Sequence, residues 1–262
     1  YGSIVVESRR TLNHPSAELI GKTVAEEAIV VNGTRLPLEE LLEANTEKYT
    51  SVYADRGKKG EPTRVSDGKG LVKCYEGAPV DKVKVYIPVF PGTNCDYDTA
   101  RAFERAGAEV DITVFKNLTG DDVLESIKEM KEHIAECHIM MLSGGFSAGD
   151  EPDGSGKFIA NVLNNKDVAD AIHALLDRGG LMLGICNGFQ ALVKSGLLPY
   201  GRLGKVSKAS PTLFRNDINR HISQIVSTRV GTVASPWLLS FEVGDIHSIA
   251  VSHGEGKFVV SD

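Results

Sequence analysis

What this chain lacks narrows its class before any motif is considered. Among its 262 residues no apolar run approaches the ~18 needed to cross a bilayer as a helix. No basic segment followed by an apolar one opens it, so no secretion signal is legible. It has no basic stripe: 29 Lys and Arg against 35 Asp and Glu leave a net charge of −6, which argues against nucleic acid as a main partner. Cysteine is scarce. The four residues, at 74, 95, 137 and 186, contain no C-x-x-C pair, which speaks against a zinc ribbon or a thioredoxin-like site. Thinly spread thiols without a secretion signal read as reduced and cytosolic, so a cytoplasmic location is expected. No internal repeat or low-complexity tract is present either.

What is there is organised in three zones. Residues 1–48 hold an apolar hairpin pattern around Asn32-Gly33, a strong type I′ turn signal, followed by a short amphipathic helix over 37–44. This α+β piece is too small to own a sizeable core. Residues 49–80 carry Gly57, Gly60, Gly68, Gly70 and Gly77 with little apolar periodicity and read as a linker. From residue 81 to 262 strands and helices alternate. Strands are predicted at 83–90, 109–115, 137–142 and 180–185, with helices near 98–106, 121–132, 158–163 and 169–178 between them. Such alternation implies right-handed βαβ units, a parallel sheet and an α/β fold. In such sheets functional loops gather at the carboxyl ends of the strands, which points to 91–97, 143–150 and 184–190. After Leu197 the pattern turns Gly-rich and strand-like, as at 222–230 and 241–251.

The sharpest local feature is Gly184-Ile-Cys-Asn-Gly-Phe-Gln190, directly after an apolar strand. Small residues at 184 and 188 permit a tight strand–turn–helix that lifts a nucleophile clear of the sheet. A thiol at Cys186 would face a helix N-terminus, which favours the reactive thiolate, and the Asn187 amide would point toward an oxyanion. The plainer alternative is that Cys186 is a small buried hydrophobe. A cysteine nucleophile needs a base and an orienting group. His253-Gly-Glu-Gly256 offers both, because residues 253 and 255 of an extended segment face the same side. A solvated turn histidine and a surface acid are the alternatives, and no further ligand cluster suggests a metal. His138 and His173 lie inside predicted elements and read as structural. The turn Ser143-Gly-Gly-Phe-Ser-Ala-Gly-Asp150 exposes backbone N–H groups suited to an anion but lacks the Lys of a P-loop, so a second oxyanion donor is the better reading. Asn94, Cys95 and Asp96 are either pocket wall or helix cap, with Asp96 or Asp98 as the N-cap.

Together these residues resemble the class I glutamine amidotransferases that carry a Cys-His-Glu triad. More narrowly, PGTNCDYDTA (91–100), SGGFSAGD (143–150), GICNGFQ (184–190), LFRND (213–217), SPWL (235–238) and SHGEG (252–256) resemble the glutaminase domains of phosphoribosylformylglycinamidine synthases. The resemblance covers about residues 82–258, and residues 1–80 are similar, more weakly, to the synthetase tail and connector of the large single-chain form. It implies an open, mostly parallel, flavodoxin-like sheet. Cys186 would be the nucleophile, His253 the proton carrier and Glu255 its orienting partner. Gly145, Phe146 and Asn187 would form the oxyanion hole, while Gln190 and Asn94 would contact the substrate, L-glutamine. The ammonia would serve a synthetase domain of the same polypeptide, where ATP and Mg2+ activate formylglycinamide ribonucleotide in purine biosynthesis. No cofactor or metal is expected in this segment, and neither nucleic acid nor membrane is an expected partner. The start at Tyr1 and the stop six residues after Gly256 are expected to be cut edges of a longer chain. Two other readings remain: a Cys-dependent hydrolase of the same architecture, and a lapsed docking domain. Gln190 and the 143–150 turn speak against the first, the intact triad against the second.

Overall fold

In the computed structural model residues 4–47, 80–147, 156–218 and 220–259 are described, and the chain falls into two units, Tyr1–Lys59 and Gly60–Asp262. The first unit contains the expected hairpin. β1 (Ala28–Val31) pairs antiparallel with β2 (Thr34–Pro37), Val31 opposite Thr34. Asn32 and Gly33 take φ +51° and +82°, the positive pair that a type I′ turn demands. Helix α1 (Leu38–Glu47) follows and runs past the predicted 37–44. The predicted linker 49–80 lies, but for residue 80, outside the described residues.

In the second unit four parallel strands carry the architecture: β3 (Lys84–Val89), β4 (Glu109–Val114), β5 (Ile139–Leu142) and β6 (Leu181–Gly184), in spatial order β4-β3-β5-β6. Helices α2 (Asp96–Arg105), α3 (Gly120–Glu136), α4 (Lys157–Leu163), α5 (Lys166–Asp177) and α6 (Asn187–Lys194) alternate with them. Strand parity divides the core between two faces, because successive side chains point to opposite sides of a sheet. Tyr86, Met140 and Leu142 pack with Met130 and Ile134 of α3, Ile159 and Leu163 of α4, and Ile172 and Leu175 of α5. Their neighbours Val85, Ile87 and Met141 face the other way, onto Ala100 and Phe103 of α2. Strands buried on both faces read as unbroken apolar runs, which is why they were visible in the sequence.

Helix starts departed from expectation. α2 begins at Asp96, with Cys95 as N-cap and no side-chain cap, so Asp96 and Asp98 lie in the first turn. There their charge meets the helix dipole instead of capping a single N–H. α3 begins at Gly120 because Thr119 and Asp122 form a reciprocal capping box, and α5 begins at Lys166 because the Asn165 side chain caps Asp167 N.

Beyond α6 the chain forms short antiparallel pairs. β7 (Thr212–Phe214) pairs with β10 (Lys257–Val259), Phe214 opposite Lys257. β8 (Ile222–Arg229) pairs with β9 (Ile246–His253), Ile222 opposite His253. The strand predicted from 241 starts only at 246, because residues 241–245 turn: Glu242 N donates to Asp245 Oδ2 and Gly244 takes φ +105°. The 3-10 turn Pro236–Leu238 leans on the sheet through Trp237, whose indole Nε1 donates to Met182 O of β6 at 3.2 Å.

Candidate active site

The site grows from the junction of β6 and α6. Ile185 N still donates to Leu142 O, a last bond to the sheet, and Asn187 already begins the helix. Cys186 between them is forced to φ +53°, ψ −113°. Such a conformation is rare for a side-chain-bearing residue and costs on the order of 1–3 kcal/mol. Close seating of α6 holds it in place: a Cβ on Gly188 would stand 2.1 Å from Leu142 O. The strained turn leaves Cys186 exposed at the N-terminus of a helix whose other residues are mostly buried.

The order β4-β3-β5-β6 reverses its winding between β3 and β5, the point at which α/β sheets open a crevice. Loops from both strands meet there in an antiparallel bridge between Thr93 and Gly145. Asn94 N donates to Gly144 O at 3.1 Å, and Phe146 N donates to Gly92 O at 2.9 Å. Gly145 takes φ +145°, and a Cβ on it would approach Gly92 O to 2.4 Å, so glycine is required. A Cβ on Gly144 would stand 3.2 Å from Cys186 Cβ and 3.8 Å from Cys95 Sγ, which places this turn between the two cysteines. The Phe146 N–H is thus committed to holding the turn, and the Phe146 ring is 74% exposed. Of the two turn residues expected to donate to an oxyanion, Gly145 is the one whose amide is not spent on this bridge. Asn94 lies exposed on the facing loop.

The segment 253–256 reaches the same region by side-chain ties. Gln190 Nε2 on α6 donates to Glu255 O at 2.7 Å, and Gln190 Oε1 accepts from Asn187 Nδ2 at 3.4 Å. Both ends of the Gln190 amide therefore work inside the protein. Asn216 grips the segment from the opposite side, with Nδ2 donating to His253 O and Oδ1 accepting from Gly256 N. β9 stops at His253 and the chain bends at 254–255, so the extended alternation that put residues 253 and 255 on one side does not apply. The His253 ring packs over Gly256, where a Cβ would come within 2.4 Å of Nδ1. That Nδ1 is buried and makes no hydrogen bond among the described residues.

The remaining thiols and imidazoles have other duties. Burial, only partly offset by Arg178, pushes the Cys137 thiol up to about 11. Cys95 is exposed at the start of α2. His138 Nδ1 accepts from Lys84 N and His173 Nε2 from Leu203 N, which fixes both as structural. Among the described residues no group of three or more His, Cys, Asp or Glu is arranged to hold a metal ion. Sequence reasoning gave no role to Asn216 or Trp237. The signal available was their place within LFRND and SPWL.

The chain is similar to known proteins. Residues 82–262 match the family described as CobB/CobQ-like glutamine amidotransferase domain. A relative from Dehalococcoides mccartyi, phosphoribosylformylglycinamidine synthase subunit PurQ, is 37% identical over 183 residues, 70% of this chain and 65% of its own. The subunit of that name from Roseobacter denitrificans is 34% identical over 67% of this chain and 66% of its own. The chain thus spans about two thirds of the length of these curated relatives. Among solved structures, PurLQS from Thermotoga maritima aligns with a TM-score of 0.51 at 29% identity, covering 69% of this chain and 71% of that one. A family match across residues 82–262, joined to relatives above 30% identity, makes this chain a member of the glutamine amidotransferases.

Proposed function

We propose that residues 82–262 hydrolyse the side-chain amide of L-glutamine and pass the ammonia to a synthetase portion, as the glutaminase part of phosphoribosylformylglycinamidine synthase. The observation that carries this reading is Cys186, held at φ +53° at the head of α6 while Gln190 of that helix ties down the 253–256 bend. Cys186 sulfur attacks the amide carbon and His253 takes the thiol proton. The amides of Asn187 and Gly145 stabilise the developing oxyanion, each such donor being worth about 2.7–4 kcal/mol in comparable sites. Collapse expels ammonia with a proton from His253 and leaves a thioester. Water, deprotonated by His253, then releases glutamate and regenerates the thiol. Glu255 supplies negative charge beside the imidazolium, and Phe146 acts by holding the glycine turn through Gly92. Gln190 and Asn94 lie where the amino-acid end of the substrate would sit, Gln190 exchanging an internal hydrogen bond for it. The ATP and Mg2+ of the coupled reaction belong to the synthetase portion, and the reaction is placed in the cytoplasm.

The test is glutamine-dependent ammonia release with the synthetase portion present. Cys186→Ala is expected to lower it by about 10³-fold or more. A glutamine-mimicking electrophile should label Cys186. Activity surviving in Cys186→Ala, or labelling at Cys95 instead, would overturn the assignment.

A further inference from the structure

The 254–256 bend that follows the base lies outside every strand ladder. The β7–β10 pairing ends at Phe214 and Lys257, and the β8–β9 pairing ends at Ile222 and His253. The backbone between those two stops would be left without partners, an expensive condition for groups partly withdrawn from water. Asn216 supplies most of the missing partners, and Gln190 Nε2 serves Glu255 O. Asn216, only 4% exposed, donates its main-chain N–H to Gly254 O at 3.0 Å. Its Nδ2 donates to His253 O at 2.9 Å and to Arg220 O at 3.0 Å, and its Oδ1 accepts from Gly256 N at 3.3 Å. Two carbonyls on one side and one N–H on the other fix which way the amide faces. A carboxylate of the same shape would turn an acceptor toward two acceptors.

The geometry points to Asn216 as a positioning residue for His253. It does not touch the reacting atoms in this arrangement; it sets the backbone on both sides of the imidazole. It fixes the His253 carbonyl directly, and it fixes Gly256, on which the ring rests. With Gln190 holding Glu255 O from the α6 side, the base is anchored at two points to the rest of the site. Neighbouring Asp217 pairs with Lys257 at the exposed surface and takes no part in this grip. The inference rests on the proposed glutaminase reading, in which His253 exchanges protons with Cys186.

Two measurements test it. Ammonia release is assayed with the synthetase portion present, and Cys186 alkylation by iodoacetamide is followed by peptide mass spectrometry in the full chain from about pH 5 to about pH 9. Misplacing a catalytic group by about 1 Å can cost ~10²-fold. Asn216→Ala is therefore expected to lower kcat by about 10- to 100-fold with KM within about threefold. Its alkylation profile should move with pH in the same direction as that of His253→Ala and rejoin wild type at the alkaline end. If Asn216→Ala does not fold, Asn216→Asp, which keeps the acceptor for Gly256 N, is judged by the same two readouts. A kcat near wild type overturns the inference. So does a lower kcat with an unmoved alkylation profile, since that marks a purely structural role. An alkylation profile insensitive to His253→Ala itself would instead remove the base assignment, and the inference with it.

Discussion

Cys137 sits 4% exposed at the end of α3, its Sγ 3.6 Å from Ile134 O, and keeps its proton well past the ordinary thiol range. Burial holds the folded thiol up at about 11, against 9.0 for an ordinary thiol in an unfolded chain. Below pH 9 both states are neutral and the contribution to stability is fully present. As pH rises from about 9 toward about 11, the unfolded chain alone gains the favourable anion, and on the order of 2–3 kcal/mol is lost. Tyr86, raised chiefly by burial, adds a loss of the same sign above pH 10. Urea midpoints measured from pH 8 to pH 10 should fall more steeply for wild type than for Cys137→Ala; equal slopes would show that the thiol is not shielded. Legibility at this scale divides by sequence separation. Cys186 was readable because its whole setting, from Gly184 to Gln190, is local. Asn216 was not, because an Asn in a polar stretch looks like any turn residue until a segment some forty positions away folds against it. Alternation places residues 253 and 255 on one side only in an extended chain, and here the chain bends at 254–255.

The elements depend on close seating more than on helix propensity. α6 is only eight residues long, too short to be stable alone, and it rests directly on β5. Gly188→Ala would drive a methyl to 2.1 Å from Leu142 O, a backbone atom locked in the sheet. Overpacking of this kind costs about 1–3 kcal/mol, so the variant should show a lower Tm together with slower alkylation of Cys186. A Tm equal to wild type would mean that α6 can slide, and that the elbow is less strained than its φ implies. At the start of α3, Thr119→Ala removes one half of the capping box and should cost about 1 kcal/mol, read from denaturant midpoints. Strands were located closely from sequence because burial on both faces gives continuous apolar runs. Helix starts were not, since an acidic residue serves equally as a cap or in the first turn.

On the scale of the molecule, every buried apolar residue among the described ones lies between Val85 and Leu213. The core therefore belongs to the second unit alone, and a chain lacking residues 1–59 should keep its main unfolding transition within about 3 °C. A larger drop, or loss of cooperativity, would mean that the first unit contributes to the fold. The alternation that gave the α/β class also located all three loops that meet around Cys186. Strand-like stretches at 222–230 and 241–251 foreshadow β8 and β9, but not the pairing of β7 to β10, whose antiparallel partners lie apart in the chain.

One detail of this layout bears on how the protein can be watched. The chain has a single tryptophan, Trp237, and its indole is fastened to Met182 O on the strand that runs into the elbow. Fluorescence excited in the tryptophan band thus comes from one address, two residues before the end of β6. A covalent adduct on Cys186 that shifts β6 or α6 would change the colour or lifetime of that emission without any added label. The first unit has no indole of its own and so adds no tryptophan emission to that signal.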